Sequence, residues 1–329
     1  MASGRADEIP VVDLGALFSE PADDAVGSIA REVRAACLGT GFFYIANHGV
    51  AEALIGEAFA ANRAFHARSL AEKLVLKLNQ WHRGYQPFAT STLKSSARFA
   101  PATQANQLES FFIRHEVSPS DPGYRVKALM GPNQWPDDAG FRDIVGRYDA
   151  ALTALGRRLL PVFSVAVGED PGFFGRYFEP PSTALRLIHY PPLPEDRPDD
   201  LLGIQPHTDY GFFTILAQDD VGGLEVRRVD GSWIETPRIP GTFLLNIGDI
   251  MARWTNEVFN STPHRVVGGR ADRYSIGMFF DPNIEAEIRC LDGFAGGATP
   301  AKHTPIRYGD YFGRRLDSNY PDRVGVAAR

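Results

Sequence analysis

The chain of 329 residues has only two cysteines, Cys37 and Cys290. Two thiols so far apart form neither a disulfide framework nor a zinc site, and they suit a reducing cytoplasm. Nowhere does the sequence sustain the roughly 20 apolar residues that a membrane helix requires. The opening MASGRADEIPVVDLG lacks the apolar run of a signal peptide. A cytoplasmic protein with no membrane partner is the expectation. Positive charge is not in excess either: 34 Lys and Arg stand against 40 Asp and Glu, for a net charge of −6. Such a balance offers no electrostatic footprint for nucleic acid. Internal repeats and low-complexity blocks are lacking as well.

What is present is an ordinary globular composition, 44% hydrophobic and 22% charged. The 22 Phe and 24 Pro favour many short strands over a helical bundle. IPVVDL, from Ile9 to Leu14, reads as a strand. Val26, Ile29, Val33 and Cys37 then recur at helical spacing behind a cap at Asp23 or Asp24. FFYIANHGV, from Phe42 to Val50, reads as a buried strand and turn, with His48 serving the turn. A second helix is expected from about residue 51 to 68. Residues 79–136 read as irregular, and loops of that length in a compact domain are usually functional. A long helix is expected from about residue 138 to 167, kinked at Pro161.

After Pro180 the pattern becomes short apolar runs between Gly, Pro and Asp: ALRLIHY, FFTILAQ, LEVRRV, WIETP, TFLLNI, HRVV and YSIGMFF. Strands at that spacing predict a sandwich or barrel. The fold class is therefore mainly β with a helical N-terminal part. We read residues 1–329 as one cooperative unit: a helical region over 1–179, a β core over 180–312 and a tail over 313–329.

Within IQPHTDYGFF, His207 and Asp209 lie two apart, so on a strand their side chains share one face and Thr208 turns away. An imidazole and a carboxylate are part of a ligand set for a divalent metal. A second histidine would complete the facial triad of non-haem iron(II). His264 in NSTPHRVV opens another expected strand and is the candidate. Taken singly, the pair equally fits a hydrogen bond at a strand end, and His264 a core histidine. Arg273 and Ser275 in DRYSIGMFF again share a face. A guanidinium beside a hydroxyl suits a carboxylate ligand, as it does an ion pair with a nearby Asp.

Taken together, HTD at 207–209, His264 in STPHRV, NIGD at 246–249 and RYS at 273–275 resemble the iron(II)- and 2-oxoglutarate-dependent oxygenases of the isopenicillin N synthase-like family. The likeness continues in RGY at 83–85, HYPP at 189–192 and FFDPN at 279–283, so it spans nearly the whole chain. It implies a double-stranded β-helix, or jelly roll, flanked by helices. His207, Asp209 and His264 would be the metal ligands. Arg273 and Ser275 would hold the remote carboxylate of 2-oxoglutarate, helped by the Tyr190 hydroxyl. The activity implied is a dioxygenase reaction: O2 and 2-oxoglutarate are consumed, succinate and CO2 released, and a small molecule hydroxylated, desaturated or cyclised. Gly248 and Asp249 would make a turn and Asn246 would brace strands.

Two rivals stand beside this reading. One is a 2-oxoglutarate-independent iron(II) oxidase of the same fold. Isopenicillin N synthase itself keeps an R-x-S pair but has a metal-binding Gln near its C-terminus, whereas the last Gln here is Gln218. The other is a metal-binding jelly roll without redox turnover, for which a second anion site has no use. Lys94, Arg98 and Arg114 are expected on the solvated surface, and Leu185, Leu187 and Phe279 at the substrate pocket. A segment after Tyr311 is expected to form a helix over the pocket mouth. The oligomeric expectation is a monomer or homodimer.

Overall fold

A computed structural model describes residues 9–19, 23–92, 102–125, 127, 129–296 and 298–320, without the side chains of 23 and 24. Its larger sheet has eight strands. Four come from the first half of the chain: β1 (Val11–Asp13), β2 (Phe42–Ala46), β3 (Gly84–Gln86) and β4 (Glu109–Arg114). The others are β5 (Ser182–Tyr190), β7 (Phe213–Gln218), β10 (Thr242–Ile247) and β12 (Arg273–Asp281), in the spatial order β1-β2-β10-β7-β12-β5-β4-β3. The smaller sheet is built from β6 (Ile204–His207), β8 (Leu224–Arg227), β9 (Trp233–Glu235) and β11 (His264–Val266), in the order β6-β11-β8-β9. This is the double-stranded β-helix that the sequence resemblance implied.

Two cores follow from the alternation of side chains along the large sheet. Between the sheets lies a smaller apolar cluster that includes Tyr44, Ile188, Tyr190, Val226, Leu244 and Val266. On the outer face, α1 (Asp23–Leu38), α2 (Glu52–His66) and α4 (Ala139–Ala166) cover the larger core, in which Val33, Phe65, Leu152, Leu185 and Leu187 are buried. The long helix α4 runs through Pro161 as one element, capped by the Asp138 carboxylate on the Phe141 amide. Gly156 lets it approach the sheet, since a Cβ there would lie 2.4 Å from the Phe280 ring.

The stretch 79–136 is less irregular than its composition suggests, because it contains β3 and β4. All six residues of β4, ESFFIR, are buried. A strand covered on both faces carries no polar alternation to reveal it. The chain closes with β13 (Glu287–Ile288), β14 (Ile306–Arg307) and the helix α6 (Tyr308–Asn319). That helix overlaps the segment after Tyr311 expected to cover the pocket mouth but begins earlier, at Tyr308, and the end of the tail, 321–329, is outside the described residues.

Candidate metal centre

His207 ends β6 and His264 begins β11, and the two are direct antiparallel partners. That register brings their rings to 4.2 Å between centroids. Asp209 lies beyond the end of β6, so strand alternation does not place it. A turn does. The Asp209 carbonyl accepts the Asp249 amide at 2.8 Å, and the Gly211 and Phe212 carbonyls accept the amides of Ile250 and Gly248. Gly248 is required for this seating, because a Cβ there would meet the Gly211 carbonyl oxygen at 2.4 Å. The NIGD motif thus begins the helix α5 (Asp249–Trp254) and clamps the HTD loop. Thr208 is not turned away from the region, as strand geometry would have it; it lines a cavity beside the centre.

The three side chains offer ligand atoms that all lie within 4.8 Å of one another and could hold a metal ion. Asp209 Oδ1 is 3.9 Å from His207 Nε2 and 3.8 Å from His264 Nε2. Each imidazole is oriented by its other nitrogen: His207 Nδ1 lies 2.9 Å from the Gln205 carbonyl and His264 Nδ1 3.2 Å from that of Thr262. A carbonyl only accepts, so Nδ1 carries the proton and Nε2 presents its lone pair inward. Asp209 Oδ2 accepts from Thr214 Oγ1 at 2.5 Å and Asn246 Nδ2 at 2.7 Å, which leaves Oδ1 facing the imidazoles. Asn246, expected only to brace strands, therefore orients this carboxylate. Thr214 gave no sequence signal.

Burial, and then the neighbouring His264, push the His207 imidazole down to about 3. Burial alone would raise the Asp209 carboxyl, but the two histidines and the hydrogen bonds from Asn246 and Thr214 hold it below its ordinary value. At neutral pH His207 is therefore a neutral imidazole and Asp209 a carboxylate, and neither has a proton to displace when a metal binds.

Arg273 and Ser275 are buried on the inner face of β12. The guanidinium donates from Nε to the Gly222 carbonyl at 2.7 Å, from Nη2 to Gln218 Oε1 at 3.0 Å and from Nη1 to Ser275 Oγ at 3.4 Å. All these partners are neutral, and no ion pair to a described acidic residue forms. The Tyr190 ring lies against the guanidinium, 4.7 Å from Arg273 Cζ to its centroid. Gln218, the last glutamine of the chain, is thus a partner of Arg273.

Two cavities meet at His207 and Asp209. One is lined by the three candidate ligands together with Tyr190, Arg273 and Ser275. The other is lined by His207 and Asp209, by His82, Phe112 and Arg114 from the stretch between α3 (Leu70–Leu74) and α4, and by Phe312 of α6. Phe279 borders both, as does Arg186. Leu185 and Leu187, expected at the pocket, instead face the helices; the inward residues of β5 are the alternate ones, Ala184, Arg186, Ile188 and Tyr190. Arg114 is buried rather than solvated, with its guanidinium over the Phe312 ring. Lys94 and Arg98 lie outside the described residues. His48 serves the turn after β2, its Nδ1 accepting the Val50 amide and its ring stacked on Phe243.

Comparison with known proteins agrees with this geometry. Residues 181–282 match the model of the 2OG-Fe(II) oxygenase superfamily, and residues 9–138 match that of the non-haem dioxygenase N-terminal region described for morphine synthesis. The 2-oxoglutarate-dependent dioxygenase citB of Monascus ruber is 34% identical over 297 residues, covering 86% of this chain and 88% of its own. A homoarginine-6-hydroxylase of Arabidopsis thaliana is 33% identical over 298 residues, covering 87% of this chain and 80% of its own. A full-length Neurospora crassa protein crystallised with alpha-KG and thymine superposes with a TM-score of 0.83 at 26% identity, over 96% of this chain and 98% of that one. The chain belongs to the 2OG-Fe(II) oxygenase superfamily and is an iron(II)- and 2-oxoglutarate-dependent dioxygenase.

Proposed function

We propose that His207, Asp209 and His264 bind the iron(II), and that Arg273, with Ser275 and Tyr190, receives the distal carboxylate of 2-oxoglutarate. One observation carries this reading: a single cavity reaches both the three convergent ligand atoms and a buried guanidinium whose hydrogen-bond partners are all neutral. An unpaired buried charge costs several kcal/mol. A diacid that bridges metal and guanidinium supplies the missing counter-charge.

When bound, iron and 2-oxoglutarate supply oxidation of the substrate by dioxygen, with release of succinate and carbon dioxide. The chain supplies position. Thr214 and Asn246 fix the ligating carboxylate, and the Gln205 and Thr262 carbonyls fix the imidazole tautomers. Phe279 and Phe112, with Phe312 and Leu316 of α6, give the second cavity apolar walls that exclude water from the reacting centre. The substrate is a small molecule held in that second cavity. How it lies there sets whether hydroxylation, desaturation or ring closure follows. Relatives named for homoarginine hydroxylation or crystallised with thymine support a substrate of that size.

Anaerobic addition of 2-oxoglutarate to the iron(II) protein tests the assignment. A visible charge-transfer band should appear with one equivalent of iron and be lost in Asp209→Ala. A band that survives in that variant contradicts it, and no band in the unaltered protein returns the 2-oxoglutarate-independent oxidase to favour.

A further inference from the structure

Arg186 is the one residue of β5 whose charged group borders both cavities. Its guanidinium is held by neutral groups: Nε donates to Ser110 Oγ at 3.1 Å and Nη2 to Gln86 Oε1 at 3.1 Å. Gln86 is itself braced, accepting from Ser110 Oγ at 3.1 Å and donating to Ser91 Oγ at 2.8 Å. The Phe112 ring lies 4.9 Å from Cζ. Nη1 makes no hydrogen bond and the guanidinium no ion pair among the described residues. One edge of a positioned guanidinium is left without an acidic partner among the described residues.

A charge count sharpens the point. The iron dication, the Asp209 carboxylate, the 2-oxoglutarate dianion and the Arg273 guanidinium sum to zero. Arg114, the other cation lining the second cavity, has the Asp281 carboxyl in its neighbourhood. Arg186 is left over. A half-buried guanidinium with no acid of its own among the described residues is best complemented by an anionic group that the substrate brings. The free edge of a guanidinium recognises a planar carboxylate best.

Resting on the function proposed above, we propose that the substrate is a small organic acid with an apolar body, and that Arg186 binds its carboxylate. Gln86 and Ser110 are positioning residues that hold the guanidinium in place. Phe112 and Phe279 receive the apolar part.

The test uses the anaerobic protein loaded with iron(II) and 2-oxoglutarate, titrated with phenylacetate, indole-3-acetate, cinnamate and octanoate, each beside its primary amide. Binding is read from perturbation of the charge-transfer band and by calorimetry. The tightest ligand should be an acid, at least about tenfold tighter than its amide. Arg186→Gln should bring acid and amide to within about twofold, with 2-oxoglutarate affinity unchanged, and Arg186→Lys should restore part of the preference. The inference is overturned if no acid outbinds its amide, or if the preference survives in Arg186→Gln. It is equally overturned if that variant weakens 2-oxoglutarate by the same factor, which would assign Arg186 to the co-substrate. An absent charge-transfer band would sink the co-substrate reading alone, since the calorimetric preference for acids and its loss in Arg186→Gln would still decide the role of Arg186.

Discussion

Residues 189 and 190 are neighbours on β5, yet they belong to two ionisable clusters on opposite faces of one sheet. Toward the helices, His189 Nδ1 meets Glu109 Oε1 at 2.8 Å, and Nε2 meets Asp272 Oδ1 at 2.7 Å. Glu109 Oε2 also accepts from Lys73 Nζ at 2.8 Å and from the Tyr85 hydroxyl. Each charge there finds its complement within the protein. Toward the interior, Tyr190 lies under Arg273, Arg186 stands nearby, and neither guanidinium has an acidic partner among the described residues. Two imidazoles also present unshared lone pairs to one point. Lys73, Glu109 and His189 of the first cluster and Asp209, His264 and Arg273 of the second are all buried, so burial does not tell the two apart. Completeness does: polar groups that satisfy one another hold a fold together, and groups left one partner short mark where a ligand belongs.

Variants on each face should separate accordingly. Removing a ligand from the open cluster has the largest effect: Asp209→Ala should reduce 2-oxoglutarate-dependent succinate formation to background, at least about 10³-fold, while the circular dichroism spectrum is retained. Full turnover in that variant would make the inner cluster structural. Arg273→Gln should raise the KM for 2-oxoglutarate by about 30-fold or more, with a smaller change in kcat, because a buried charge contact worth at least about 2 kcal/mol is lost. A kcat loss at unchanged KM would place Arg273 elsewhere. Asn246→Ala and Thr214→Ala free one oxygen of the ligating carboxylate and should each weaken iron(II) about 10- to 100-fold in chelator competition.

The closed cluster should respond in stability and leave chemistry alone. Glu109→Gln should cost about 3 kcal/mol in urea unfolding, with the specific activity of the folded protein unchanged. Burial opposes ionisation of Glu109, but hydrogen bonds from His189, Lys73 and Tyr85 outweigh it and bring the carboxyl down to about 2. A folded value below the ordinary 4.5 means that this stabilisation is fully present above pH 4.5 and is lost as pH falls from there toward 2. The variant should therefore flatten the acid limb of the stability profile over that window. An unaltered limb would show that the cluster does not hold the charge attributed to it.

The same division explains how much could be read from the chain as a string. HTD, His264 and R-x-S are short, local and chemically unusual for strands, so they stood out. Helices α1, α2 and α4 were legible because one stripe of each is apolar and the other is not. β4 was illegible because both its faces are covered. The phase of β5 is hidden because Leu185 and Leu187 look like pocket walls yet face the helices, while the residues facing the pocket include a charged one, Arg186. Arg114 invited the opposite error, being buried where a lone arginine suggests solvent.

Residue identity and order were enough to fix the class of chemistry, since two imidazoles, a carboxylate and an R-x-S pair keep their donor properties in any conformation. Which atoms face one another was settled only by folding. The antiparallel register of β6 and β11 aligns two histidines 57 positions apart, and a turn clamped by α5 swings Asp209 back from beyond the strand. Long-range register and loop seating arise from contacts summed over the whole core, and no short window of sequence contains them.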